Sequence, residues 1–330
     1  APEFLAALLN EQPMGFYPPD SLVHEAQRRG LGILGPCVER SGVECRVERL
    51  GGEVLGVRIG LGYVNGVREE EVEALVAERE RGGGWRSVAD LAARSGAGAA
   101  TLERLAWAGA CDGLVEGPAQ LRRRLALWDL GVAVPAAGLG EAGDQLALPL
   151  EPHAGPELPE LTAWQRLLAD YGSTGMTLHE HPLELMRGAL PAGTVSSAEL
   201  ERLAHGTRVR VAGLVVARQR PETAKGVTFM LLEDEHGTAN LIIPPAVHDE
   251  RRLVVRGEPL VLADGRLERR DGVVNVLVSD IHRLERTDLP RADVVDLDGR
   301  RDRQVAGRPG AEEEAVAAGG ATLAATRAAE

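Results

Sequence analysis

Residues 208–218 read RVRVAGLVVAR and open the part of the chain that decides the fold. From residue 205 to residue 286, Val, Ile and Leu recur with a period of two, which is typical of strands with one buried face. Turn residues separate these runs. We therefore predict five strands, with the bounds Arg208–Arg218, Val227–Glu233, Thr238–Ile243, Pro259–Glu268 and Val273–Ile281.

The connections between these strands indicate a small barrel. Residues 235–237, Glu-His-Gly, predict a hairpin between strands two and three. Residues 270–272, Arg-Asp-Gly, predict another between strands four and five, where Asp-Gly is a strong hairpin signal. Residues 245–254 can form a short helix between strands three and four. This is the order of an OB-fold, which usually binds nucleic acid across its second and third strands.

The two loops that flank that face carry cations. The loop between strands one and two brings Arg218, Arg220 and Lys225, and the loop between strands four and five brings Arg269 and Arg270. The planar guanidinium group of arginine can donate hydrogen bonds to two phosphate oxygens at once. Two basic loops on one face therefore predict a groove for a nucleic-acid backbone. The alternative is that hairpin loops are charged simply because they are solvated.

Phe229 is the one aromatic residue on the predicted strands. Stacking of a base on a ring contributes roughly 1–3 kcal/mol, so Phe229 is a candidate contact, although it can equally belong to the core. With a single ring available, we expect affinity to depend on charge and to fall with salt.

The charge distribution singles out the same segment. The chain has 37 Lys and Arg against 50 Asp and Glu, a net charge of −13, which disfavours non-specific nucleic-acid binding if the charge were evenly spread. Residues 205–286 escape this bias, because their 13 basic and 12 acidic residues leave a net charge of +1. Local fields matter more than the total.

The region from residue 61 to residue 114 is helical in pattern, with glycine breaks. A turn at residues 61–68 with Gly66, and a second at residues 94–99 with Gly96 and Gly98, each precede a helix and resemble helix-hairpin-helix elements. Such turns direct backbone N–H groups at a helix N-terminus toward a phosphate. The first has Arg68 where a second glycine is expected, followed by three glutamates, so pure packing is the alternative.

The remaining segments are less informative. Residues 4–9 and 21–29 predict helices, residues 33–36 and 54–59 extended pieces, and the Ala-, Gly- and Pro-rich residues 131–163 a linker before a helix at Trp164. The chain begins at Ala1 without Met, which suggests a piece of something longer.

No membrane or metal chemistry is predicted. The apolar runs fall short of the roughly 20 residues of a membrane helix. Cys37, Cys45 and Cys111 form no CxxC pair and predict reduced thiols in a cytoplasmic protein. The eight histidines show no zinc-site spacing, and we interpret residues 179–181, His-Glu-His, as a turn.

A series of collinear segments covers most of residues 1–286. They read PEFLAALLN at 2–10, MGFY at 14–17, LVHEA at 22–26, VRIGLG at 57–62, LAWAGA at 105–110, DYGSTG at 170–175, HP at 181–182, VAGLV at 211–215 and LEDE at 232–235. In this order they resemble the C-terminal part of bacterial C-family DNA polymerases, particularly the error-prone, translesion branch.

The resemblance implies an α+β multidomain chain. Its parts would be the end of the fingers region, a tandem helix-hairpin-helix on duplex DNA, a linker with helices, a five-stranded OB-fold barrel near single-stranded template, and a largely disordered tail. The corresponding residues are 1–55, 56–114, 115–204, 205–286 and 287–330.

The family's catalytic aspartates, which hold two magnesium ions for phosphoryl transfer, belong to a palm upstream of this region. No matching pair occurs here, so the resemblance implies no catalytic residue and no cofactor in this chain, with Mg²⁺ expected for the full-length polymerase. Purified alone, the chain is not expected to extend a primer.

A further partner follows from the linker. Gln145, Leu146 and Leu148 resemble a sliding-clamp peptide, with Pro149 in place of the aromatic anchor, and other translesion-complex proteins are further candidates. The alternative is a linker with chance leucines. At the level of the whole chain, a stand-alone, non-catalytic OB-fold adaptor and the tRNA-binding barrel of a synthetase remain open beside the polymerase portion.

Overall fold

The computed structural model describes residues 1–15, 17–137, 157–270 and 272–285. The chain divides into two compact units, residues 1–180 and residues 181–330. In the described ranges, no helix has both the length and the apolar character that crossing a membrane requires. The clamp-peptide candidate at Gln145, Leu146 and Leu148, the tail from residue 287, and Asp271 of the predicted hairpin lie outside them.

The first unit combines seven described helices with a three-stranded sheet. In the sheet, β1 pairs in parallel with β3, and β2 pairs antiparallel with β3. The helices are α1 (Pro2–Asn10), α2 (Pro19–Arg28), α3 (Glu69–Gly82), α4 (Val88–Arg94), α5 (Ala99–Trp107), α6 (Ala119–Ala137) and α7 (Ala163–Thr174), and the strands are β1 (Gly32–Leu34), β2 (Arg46–Gly51) and β3 (Val54–Arg58).

The helical periodicity correctly predicts α3, α4 and α5. Val72 and Leu75 of α3, Leu91 of α4, and Leu102 and Leu105 of α5 are all buried in one apolar cluster. Residues spaced by three or four positions share one helix face, and each of these faces is turned into that cluster.

Two elements of this unit are not predicted by the sequence. The linker prediction for residues 131–163 is wrong at its start, because α6 continues to Ala137. Ala126 and Leu130 of α6 enter the same apolar cluster, and Arg123 donates a 2.8 Å hydrogen bond to Asp170 of α7. The strand β2 is mostly exposed, so its sequence lacks the alternation that marks a half-buried strand.

The second unit is built on a closed five-stranded barrel. Four short helices and a two-residue strand accompany the predicted strands before and between them. The elements are α8 (Pro182–Met186), β4 (Thr194–Val195), α9 (Ser197–Leu200), β5 (Arg208–Gln219), β6 (Thr228–Glu233), β7 (Thr238–Ile243), α10 (Pro245–Glu250), α11 (Arg252–Gly257), β8 (Leu260–Arg270) and β9 (Val273–Arg283).

The barrel closes because β5 pairs on both sides. Its strands follow the order β5, β6, β7, β9, β8, and β8 pairs back onto β5. The inward residues form one apolar core that includes Val209 and Val211 of β5, Met230 of β6, Leu241 of β7 and Leu267 of β8. The predicted five-stranded barrel with the strand order of an OB-fold is therefore confirmed.

Local chemistry sets the connections. The Asp234 carboxylate accepts hydrogen bonds from the backbone N–H groups of His236 (2.9 Å) and Gly237 (3.0 Å), which fixes the predicted turn between β6 and β7. At Gly265, where β8 bends against β9, an added Cβ would lie 2.4 Å from the Leu277 carbonyl oxygen. Only glycine permits that approach.

Candidate nucleic-acid interface

The outer surface of the barrel carries a row of apolar side chains that sit side by side on three neighbouring strands. Phe229 of β6 pairs in register with Ile242 of β7, and Ile242 pairs with Leu277 of β9. Phe229 is 42% exposed, and the other two are partly exposed. We call Phe229, Ile242 and Leu277 the apolar row. It offers flat, partly solvated area on which bases can stack.

A second row lies next to the apolar row on the same surface. Leu231 of β6 pairs with Asn240 of β7, and Asn240 pairs with Asn275 of β9. Within the described residues, neither asparagine side chain has a hydrogen-bond partner. Each amide offers both a donor and an acceptor, the groups that the polar edge of a base requires.

The two predicted basic loops lie at opposite ends of this surface. Thr228 pairs with Ile243, so residues 220–227, which lead into β6, adjoin that end of the sheet. Since β9 runs parallel to β7 and Asn275 pairs with Asn240, the β8–β9 turn adjoins the other end. The face between the two loops carries both rows.

Three of the five predicted cations remain available to a ligand. The side chains of Arg220, Lys225 and Arg270 are exposed and have no hydrogen-bond or ion-pair partner among the described residues. Lys225 has a left-handed backbone, with a φ of 51°, at the end of a short 3-10 turn. The Arg220 guanidinium lies near the end of the same loop, because a Cβ on Gly226 would lie 3.4 Å from its Nη2.

The other two predicted cations are used inside the fold. Arg218 lies in β5 rather than in the loop, and it donates to the carbonyl oxygen of Val255 (2.9 Å) and to that of Glu258, both at the end of α11. Arg269 lies in β8 and donates to the Glu201 carbonyl oxygen at 2.7 Å, just after α9. A cation that satisfies carbonyl groups at a helix C-terminus stabilises the helix.

Strand alternation explains this division. Arg218 pairs with Met230, and Arg269 follows Leu267 by two residues, so both have the parity of core positions. At the barrel ends, the side chains at these inward positions reach carbonyl groups at the ends of neighbouring helices. Arg270 has the opposite parity and is exposed.

The first hairpin turn of the helical unit is occupied by contacts within the protein. Gly66 has a φ of 72°, as the predicted turn requires. The Asn65 backbone N–H donates to the Ser173 carbonyl oxygen at 2.7 Å, and the Asn65 carbonyl oxygen accepts from Arg104 at 3.4 Å. The turn is thus braced by α7 on one side and by α5 on the other.

The second hairpin places a carboxylate where a phosphate was predicted. Gly96 has a φ of 70°, and Gly98 precedes the first turn of α5. The Gly98 N–H donates to the Glu71 carboxylate of α3 at 3.2 Å. Hydrogen bonds from the Thr101 side chain and from Gly98, together with the charge of Arg68, lower the pKa of Glu71. This helix N-terminus therefore already holds an anion.

Two family models match the chain. Residues 30–123 match a model described as a helix-hairpin-helix motif. Residues 209–284 match a model described as an OB-fold nucleic acid binding domain. The two matches cover the braced hairpin turns and the strands that carry the apolar row.

Longer similarities join the two regions. The error-prone DNA polymerase of Anaeromyxobacter dehalogenans (strain 2CP-C) is 42% identical over 288 residues, which cover 84% of this chain and 24% of that protein. The error-prone DNA polymerase of Mycobacterium tuberculosis (strain ATCC 25618 / H37Rv) is 38% identical over 284 residues, 85% of this chain and 24% of that protein. The chain spans about a quarter of the length of these relatives and matches their C-terminal part.

Substitution of the cations that are bound within the fold should destabilise the protein more than substitution of the cations that have no partner. Arg218→Gln and Arg269→Gln should each lower the free energy of unfolding by about 0.5–1.5 kcal/mol, because each removes a charged donor from part-buried carbonyl groups at a helix end. Arg220→Gln and Arg270→Gln should change it by less than about 0.5 kcal/mol. Chemical denaturation followed by far-UV circular dichroism measures all four variants, and equal losses in the four would contradict the division.

Proposed function

This chain is homologous to the C-terminal part of the error-prone DNA polymerases, and we propose that it is the DNA-binding portion of such an enzyme. In this proposal the barrel holds single-stranded template, and the helical unit contacts duplex DNA. The role in the longer protein is template-directed synthesis past damaged bases. The observation that carries the proposal is the apolar row on the outer face of the barrel, bounded at both ends by unpaired cations.

Stacking on the apolar row supplies the contact that does not depend on sequence. Every base has a π-face, so a ring beside flat aliphatic side chains accepts any base. Phe229 is the only aromatic residue between residue 181 and residue 330. Its exposed ring therefore dominates whatever stacking the barrel contributes.

The cations at the two ends of the face suit the backbone that links the stacked bases. Arg220 and Lys225 lie at one end and Arg270 at the other, and each phosphate they neutralise releases counterions. This arrangement favours a strand that crosses β6, β7 and β9 from one loop to the other. It gives binding that weakens as salt rises.

The chemistry of synthesis belongs to another part of the longer protein. Phosphoryl transfer needs acidic residues that hold magnesium beside the primer end. In the proposal, this chain contributes by holding the template and the duplex, so that the reacting ends stay in register.

Phe229→Ala tests the apolar row. Loss of the ring should weaken binding of a single-stranded oligothymidylate by about 5- to 150-fold, the equivalent of roughly 1–3 kcal/mol for one stacked base. Fluorescence anisotropy at constant salt measures the change. Leu253→Ala is the matched control, because Leu253 is 87% exposed on α11, which is not one of the strands that carry the row, and its loss should leave affinity unchanged. Equal affinities for wild type and Phe229→Ala would remove the barrel face from the proposal.

Glu71→Ala tests whether the second hairpin contacts duplex DNA. Removing the carboxylate frees the Gly98 N–H and the first turn of α5 for a phosphate, so duplex affinity should rise about two- to fivefold, as expected for one anion at a helix N-terminus. The control is Glu70→Ala, which removes the same charge from an exposed neighbour on α3. If both variants bind duplex DNA equally well, the gain reflects net charge alone and the hairpin serves only packing.

A further inference from the structure

Two arginines face each other on the outside of the barrel, where an antiparallel pair of strands usually places complementary partners. Arg208 of β5 lies directly opposite Arg266 of β8 in the strand register. Both point outward, because their neighbours Val209 and Leu267 belong to the core. Like charges directly opposite each other destabilise a sheet, so this pair costs the free protein stability.

The next pair on the same surface has complementary charges. Arg210 lies opposite Asp264, two residues along each strand from the arginine pair. Its guanidinium binds the carboxylate with both arms, Nε to Oδ1 at 2.8 Å and Nη2 to Oδ2 at 3.1 Å. The two strands therefore accommodate an arginine readily when an anion stands opposite it.

Arg208 and Arg266 have no such anion. Both side chains are exposed, and neither has a hydrogen-bond or ion-pair partner in the part of the chain that the structure describes. Asp264 is already bound by Arg210, and Glu268, the next acidic residue on that face of β8, forms no ion pair with either arginine. The two guanidinium groups therefore lie on adjacent strands with no hydrogen-bond acceptor among the described residues.

The arginine pair continues the apolar row around the barrel. Arg266 pairs in register with Leu277, the last member of that row. Neighbouring strands are about 4.8 Å apart, so the backbone of Arg266 lies about 10 Å from that of Ile242. A strand whose bases stack along the row thus brings its backbone within reach of both guanidinium groups.

We propose that Arg208 and Arg266 together clamp a phosphodiester group of a single-stranded nucleic acid bound on the apolar row. The inference rests on the proposed function of the barrel face. One phosphate between two planar forks accepts charge-assisted hydrogen bonds from both and removes the repulsion between them. The free protein carries a repulsive pair that becomes a stabilising one when the strand binds.

The test compares Arg208→Gln and Arg266→Gln with Arg210→Gln in the full chain. Each variant removes one positive charge from the same outer surface, but Arg210 is already paired with Asp264. Binding of an oligothymidylate is titrated by fluorescence anisotropy at several salt concentrations. For Arg208→Gln and Arg266→Gln, we expect the slope of log K against log salt to become shallower, and the double variant should lose about 0.7, the value for the one phosphate that the two arginines share. The slope for Arg210→Gln should match that of the wild type.

Thermal denaturation provides the second measurement. Arg208→Gln and Arg266→Gln should keep or raise the melting temperature, because each removes a repulsive partner, and Arg210→Gln should lower it slightly. Weaker binding without loss of stability is a result that a purely structural role would not give. Wild-type slopes in both clamp variants, with weakened binding by Phe229→Ala, would overturn the clamp and leave the barrel face in place. Absence of oligothymidylate binding by the wild type would overturn both.

Discussion

The structure depends on the closure of the barrel through β5, which pairs with β6 on one side and β8 on the other. A closed barrel has no free edge strand. Along each strand, side chains point alternately into the core and toward the outer surface. Availability of a cation to a ligand follows from this constraint more than from its place in a loop. Arg218 and Arg269 have core parity and bind carbonyl groups at helix ends, whereas Arg208, Arg266 and Arg270 have no partner among the described residues.

In the helical unit, too, a group that could bind a ligand is already bound within the protein. A glycine turn that opens a helix attracts an anion, and here α3 supplies one from within the chain. Glu71 reaches across 27 positions to the Gly98 amide, so a turn that fits a phosphate is satisfied in the free protein by a carboxylate. At Arg208 and Arg266 no internal anion is supplied. The Gly98 amide thus has an anionic partner within the protein, and the two arginines have none among the described residues.

Alternation and helical periodicity predict most of the fold from the sequence. All five barrel strands, the β6–β7 turn at Asp234, and α3, α4 and α5 follow from patterns within a few residues.

The features that could not be predicted depend on pairing between residues far apart in the sequence. The apolar row exists only because Phe229, Ile242 and Leu277 share a register, and no local pattern sets that register. Counting alternate positions from Leu267 would have indicated the core side for Arg269. The same count from Val211 gives the outer side for Arg218, because the register shift between Val215 and Ala217 changes its side and is not visible in the sequence.

The most direct measurement is ultraviolet cross-linking of the full chain to an oligothymidylate, with the attached residue identified by mass spectrometry. Exposed rings occur in both units, among them Phe4, Trp107 and Trp128 in the first unit and Phe229 in the barrel. The principal cross-link is expected at Phe229 and should disappear when excess unlabelled single strand is added. Cross-links confined to rings of the helical unit, with Phe229 unmodified, would contradict the binding of single-stranded template on the barrel face.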